Sequence, residues 1–180
     1  MANEPPEFCP YCGTALTPVD PPTAHRCASC DDVVFYNPAP AARVAVLDGD
    51  AVLLVGVDLP DRDLWGTPGG MVEAGEDPDE AAARELREET TLAVDPDDLV
   101  LFDARTFAKF GRIHKTSIAY AVDSAAVRGT PRAADEVAAA RFWSPAELAA
   151  ADDELLTSWP TAHQDLAWWV DNARAALARA

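Results

Sequence analysis

"GMVEAGEDPDEAAARELREETTL", residues 70–92, decides the fold. Its middle announces a helix on several counts: Asp77 as N-cap, Pro78 at the first helical position, and Glu80 placed to close a capping box. The helix is predicted from about Pro78 to Thr90, with Pro96 marking that it has ended. Glu85, Glu88 and Glu89 are then neighbours on one helical face, where each like-charged pair costs roughly 0.2 to 0.5 kcal/mol. Two readings account for them: a solvated face on a very acidic chain, or a surface that holds a divalent cation. Leu86 and Ala81–Ala83 leave another side of the helix free to pack.

Outward from this helix, "DLPDRDLWGTPGG" at 58–70 carries prolines and glycines that exclude continuous helix and leave short extended pieces. Before it, two apolar runs flank Asp48-Gly49-Asp50, a hairpin signal. Strands are predicted near 99–108, 113–122 and 140–143, and Ser144-Pro145 with Glu147 caps a short helix. The carboxy-terminal stretch is helical by pattern, with Leu166, Trp169, Val170 and Ala173 on one stripe that reads as core or dimer contact. Mixed strands with two or three helices define an α+β chain, an αβα sandwich with a mixed sheet.

All four cysteines lie in the first thirty residues, as Cys9-x-x-Cys12 and Cys27-x-x-Cys30 with fourteen residues between the pairs. In a reducing cytosol this spacing reads as a tetrahedral Cys₄ zinc site in a ribbon of two knuckles, not as disulfides. Such a site is closed to water, so its role is structural, and the proline-rich "TPVDPPT" at 17–23 relies on the metal to fold. "YNPAP" at 36–40 links this unit, residues 1–36, to a main domain, residues 37–180.

Net charge is −17, and only Lys109 and Lys115 are lysines, which disfavours nucleic-acid binding by surface charge. The acidic residues are spread along the whole chain, a distribution read as adaptation to high salt, where molar salt shortens the Debye length to about 3 Å. No apolar run approaches the roughly 20 residues a membrane span needs, and "MANEPPE" lacks the features of a secretory signal. A cytoplasmic protein with no membrane partner is expected.

Gly70, Glu76 and the run Arg84-Glu85-Leu86-Arg87-Glu88-Glu89-Thr90-Thr91-Leu92 together resemble the Nudix box, and "LWGTPGG" and "ADEVAAARFWSPAEL" resemble its usual flanks. One position departs: Thr91 stands where the family has glycine, so the helix is expected to end with different geometry. The resemblance implies that Glu85, Glu88 and Glu89 ligate magnesium or manganese, with Glu76 in or next to the cluster, a Gly70 carbonyl as a further ligand, and Arg84 orienting the glutamates. It implies hydrolysis of a nucleoside diphosphate linked to another moiety. Glu136 is the expected general base, and Asp135 its competitor.

A Cys₄ ribbon followed by such a domain resembles the NADH pyrophosphatase branch and related ADP-ribose and FAD pyrophosphatases. That branch carries Ser-Gln-Pro-Trp-Pro-Phe-Pro after the box; here the region reads "DARTFAKFGRIHKTSIAY", so ADP-ribose or a related ADP-linked compound is expected over NADH. Phe107, Phe110 or Trp65 could stack a base, and Arg105, Lys109, Arg112, His114 or Lys115 could meet phosphates; His163 reads as structural. The competing functions are house-cleaning hydrolysis of nucleoside triphosphates and a non-catalytic nucleotide sensor with the ribbon as docking module. A homodimer is compatible with the sequence.

Overall fold

The computed structural model describes residues 4–59, 62–109, 113–134, 137–151, 153–156 and 161–180. They divide into two compact units, Met1–Ala39 with Ala108–Lys115, and Pro40–Phe107 with Thr116–Ala180. In the first unit β1 (Thr17–Asp20), β2 (Ala24–Cys27) and β3 (Asp32–Phe35) form a three-stranded antiparallel sheet. Gly13 closes the first knuckle at φ 73°, donating its N–H to the Cys9 carbonyl at 2.9 Å. Tyr36 meets His114 edge-on, with its hydroxyl 3.3 Å from Nδ1.

The second unit is built around one mixed sheet. Its elements are β4 (Ala39–Asp48), β5 (Ala51–Leu59), β6 (Arg62–Gly66), β7 (Gly69–Met71), α1 (Pro78–Thr90), β8 (Val100–Lys109), β9 (Ile113–Asp123), β10 (Ala139–Trp143), α2 (Pro145–Ala150), β11 (Glu154–Leu155) and α3 (Leu166–Leu177). The strands run in the order β11-β6-β5-β4-β9-β8, with β10 added to β5 and β7 to β4. The β11–β6 pair is parallel, and β5 pairs antiparallel with β4, β6 and β10.

Alternation along β4 separates two apolar layers, because successive side chains leave a strand on opposite faces. Ala42, Val44 and Val46 join Leu53, Tyr120 and Val122 beneath Ala81, Ala82 and Leu86 of α1. Ala45 and Leu47 join Val52, Leu54, Ala119 and Ala121 against Leu166, Trp169, Val170 and Ala173 of α3. This is the helix–sheet–helix sandwich expected from the pattern. Full burial of Leu86 alone contributes about 1.5 to 3 kcal/mol. Trp65 belongs to the second layer, packed edge-on to Trp143 with ring centroids 5.1 Å apart, and is not a surface that could stack a base. Among the described residues no helix is long and apolar enough to cross a membrane.

The ends of α1 position the site. At its start the Asp77 N–H donates to Glu80 Oε2 at 3.0 Å, the expected capping-box contact, with Pro78 at the first position. At its end Thr91 overturns the expectation of altered geometry. It adopts φ 62°, ψ 5°, the left-handed conformation a glycine would take, and donates its N–H to the Arg87 carbonyl at 2.9 Å. Held there, a β-branched residue costs on the order of 1 to 3 kcal/mol.

Candidate active site and four-cysteine centre

Arg84, in the middle of α1, gathers the acidic residues of the box. Its Nε donates to Glu76 Oε1 at 2.8 Å, Nη1 to Glu85 Oε1 at 2.8 Å and Glu88 Oε2 at 3.0 Å, and Nη2 to Glu76 Oε2 at 3.0 Å. Nη2 also reaches the Met71 carbonyl of β7 at 2.9 Å, tying the helix to the strand before it. Hydrogen bonds from Arg84, and then the Glu73 N–H at 3.0 Å, hold the Glu76 carboxyl below the usual carboxylate range. Glu76 is thus fixed by arginine and backbone, whereas Glu85 and Glu88 each show one bond to Arg84 and keep oxygen lone pairs for a cation.

The glycine pair supplies the other wall. Gly69 donates its N–H to Glu89 Oε2 at 2.9 Å, and Gly70 lies so close to Glu85 that a Cβ there would stand 2.6 Å from Oε2. The carboxylates of Glu85 and Glu89 thus line the backbone of Gly69–Gly70, and Glu88 is joined to Glu85 through Arg84; carboxylate oxygens are the donors a hard divalent cation takes. Gly69 sits at φ 152° against β4, where an added Cβ would approach Arg43 Cα to 2.6 Å, so only glycine permits β7 to lie this close.

Sequence reasoning missed Arg43. It pairs with Gly69 across β4 and β7, is 8% exposed, and donates from Nε to the buried Ser117 Oγ at 2.9 Å. Burial lowers its pKa to about 10, against the opposing charge of Glu89. The signal was present: in "ARVAVLD" Arg43 shares the strand face of Ala45 and Leu47, so it had to be a buried cation with a partner.

Of the other candidates, Arg105 donates to Asp103 at 3.0 Å, and Asp103 also meets His163 Nε2 at 2.8 Å. His163 is 1% exposed and packs on Trp168 and Trp169, a structural placement. Phe107 packs on the α3-side core. Asp135, Glu136, Phe110 and Arg112 lie outside the described residues, as does the side chain of Lys109.

In the first unit the sulfur atoms of Cys9, Cys12, Cys27 and Cys30 all lie within 4.8 Å of one another. Cys12 and Cys27 are 3.5 Å apart, and Cys9 and Cys30 3.9 Å. A tetrahedral ion with metal–sulfur bonds of about 2.3 Å requires sulfurs about 3.8 Å apart, so the cluster fits such an ion closely. Hydrogen bonds with Thr14 lower the Cys12 thiol to about 6, while those with Cys12 and Cys27 raise Cys30 to about 12, so the first thiolate a metal would meet is Cys12.

The NUDIX domain family matches residues 37–164, and the chain belongs to that family. Among curated relatives it is similar to the NAD-capped RNA hydrolase NudC of Photobacterium profundum, 33% identical over 87 residues, which are 48% of this chain and 33% of that one. The same-named protein of Pseudomonas fluorescens is 34% identical over 87 residues, 48% of this chain and 32% of the relative. The chain spans about a third of the length of these relatives. Among solved structures, a NUDIX hydrolase from Nitrosomonas europaea superposes with a TM-score of 0.70 at 19% identity, covering 94% of this chain and 93% of that one. A bifunctional NMN adenylyltransferase/ADP ribose pyrophosphatase from Francisella tularensis, complexed with AMP and a manganese ion, gives 0.53 at 24% identity, covering 67% and 38%. These structural likenesses carry the fold.

Proposed function

We propose that the chain is a Nudix pyrophosphohydrolase of ADP-linked compounds, with ADP-ribose its preferred substrate over NADH and FAD. The observation that carries the reading is the placement of Glu89 and Glu85 against Gly69 and Gly70, with Arg84 bonded to Glu76, Glu85 and Glu88. Relatives named for hydrolysis of NAD-capped RNA support an ADP-linked substrate, and a net charge of −17 supports a small molecule over an RNA.

Glu85, Glu88 and Glu89, with Glu76 nearby and the Gly70 carbonyl, would hold magnesium or manganese. When bound, the ion neutralises phosphate charge and acidifies a coordinated water. The chain's own residues do the rest. Arg84 keeps Glu85 and Glu88 of the helix in register with Glu76 of the loop before it, and Gly69 and Gly70 let the phosphates approach backbone. Glu136 takes the proton of the attacking water. The water oxygen bonds to phosphorus, the bond between the bridging oxygen and that phosphorus breaks, and AMP and ribose 5-phosphate leave with one water consumed. The four cysteines would hold a structural zinc that folds residues 1–36 as a separate module, in a cytoplasmic protein.

The test is hydrolysis of ADP-ribose, NADH, FAD and a nucleoside triphosphate side by side, in molar KCl with magnesium, by the wild type and Glu88→Gln. AMP release from ADP-ribose that disappears in Glu88→Gln supports the reading. Preferred turnover of the triphosphate replaces it with a house-cleaning role, and tight binding of one compound without turnover replaces it with a sensor.

A further inference from the structure

We propose that Thr91 is a positioning residue, whose side chain straps residues 128–134 onto the last turn of the catalytic helix. The inference rests on the hydrolase reading above for its kinetic consequence, but not for its geometry. Thr91 holds a backbone conformation costly for a β-branched residue, and something must fix it there. Its hydroxyl donates to the Thr130 carbonyl at 3.2 Å, a bond a glycine could not make.

That bond is one link of a series. Ala93 and Arg128 exchange both backbone hydrogen bonds, at 2.9 and 2.8 Å. The chain turns at Gly129, φ 112°, where an added Cβ would stand 3.3 Å from the Thr91 carbonyl. Beyond Thr130, the Arg132 N–H donates to the Thr90 carbonyl at 2.9 Å and the Ala134 N–H to the Glu89 carbonyl at 3.0 Å. As residue numbers fall from 93 to 89, their partners rise from 128 to 134, so the strap runs antiparallel along the helix end. It satisfies the Thr90 and Glu89 carbonyls, which the helix itself leaves without donors.

The strap starts from the turn that carries Glu88 and Glu89 and ends at Ala134, immediately before Asp135 and Glu136, the two acidic candidates for proton transfer. Val137 donates its N–H to the Ala134 carbonyl at 3.3 Å. Thr91 thereby helps fix the register between the carboxylate-bearing helix and residues 128–134, the stretch that leads in sequence toward Asp135 and Glu136.

The experiment compares wild type, Thr91→Gly and Thr91→Ser by hydrogen exchange of residues 128–134, by thermal unfolding, and by kcat and KM on ADP-ribose. In Thr91→Gly, exchange in 128–134 rises about fivefold, the loss of one ordinary hydrogen bond, while α1 exchange and Tm hold or improve because the left-handed residue is now glycine. In that variant kcat falls about tenfold with KM within about twofold, the signature of misplacement and not of lost binding. Thr91→Ser keeps the hydroxyl and restores kcat. Unchanged exchange in 128–134 in Thr91→Gly overturns the proposal, as does a uniform rise over the whole chain with a lower Tm. If the wild type hydrolyses none of the compounds, the hydrolase reading fails separately, and the exchange measurement still decides the strap.

Discussion

Replacing Gly70 by alanine tests how tightly the glycine pair is built against the catalytic helix. The methyl would arrive 2.6 Å from Glu85 Oε2 and closer still to the other carboxylate atoms, whereas real Cβ contacts do not fall below 3.0 Å. Oε2 alone must retreat by the 0.4 Å between 2.6 and 3.0 Å, the nearer Oε1 and Cδ by more than about 0.5 Å, and Arg84, bonded to Glu85 Oε1 at 2.8 Å, is drawn with them. Catalytic groups tolerate about 0.5 Å of misplacement, and about 1 Å costs on the order of a hundredfold. The expected loss in kcat is ten- to a hundredfold, about 1.4 to 2.7 kcal/mol of transition-state stabilisation. Stability should change little, since the group that moves is the far end of a flexible side chain, 16% exposed. The assay is AMP release from ADP-ribose at saturating magnesium, beside a thermal melt and the control Gly75→Ala, where an added Cβ meets no atom within 4 Å. If Gly70→Ala keeps more than half of the wild-type kcat, the Gly70–Glu85 contact does not position the site.

Arg84→Lys should lower kcat by on the order of a hundredfold while leaving the fold intact, because an ammonium cannot reproduce the planar fork that spans Glu76, Glu85 and the Met71 carbonyl; circular dichroism and kinetics check both halves. A thiol-competent chelator or Cys12→Ser should remove a low-temperature unfolding step assigned to the first unit and leave the melt of the second, read by calorimetry. Stability should fall on acidification. Burial lowers the His163 pKa against the opposing Asp103, so its contribution is present above about 6.5 and is lost as pH falls below that value; the depressed Glu76 adds a second loss below about 4.3. His163→Asn should flatten the decline of Tm between pH 7.5 and 5.5. Raising KCl from about 0.1 to 2 M should raise Tm, and a flat response would refute the reading of the −17 charge as salt adaptation.

The helix carrying the box was legible to its first and last residue because its signals are local: a capping box, a proline at the first turn, and an apolar stripe over three turns. The β4–β5 hairpin was legible for the same reason, with Gly49 at φ 63° between two apolar runs. Trp65 was not, since "LWG" says nothing of the Trp143 ring that buries it, 78 residues further on. Thr91 shows the same limit. Intrinsic preference argues against a left-handed threonine, and the partner of its hydroxyl, the Thr130 carbonyl, is remote in sequence. Arg43 was readable as an interruption of an apolar strand, but its neighbours Ser117 and Glu89 belong to β9 and α1, and only the sheet order brings them together.

A guanidinium has five N–H groups, and every one on Arg84 is engaged: one on Nε and four on the terminal nitrogens, shared among Glu76, Glu85, Glu88 and Met71. No donor is left over to absorb a change. Substituting any one acceptor strands an N–H and frees the arginine to shift relative to the other three, so the effects of altering Glu76, Glu85 and Glu88 are coupled and do not sum. Replacements in this segment are therefore constrained as a set: one tolerated at position 76 depends on what stands at 85 and 88.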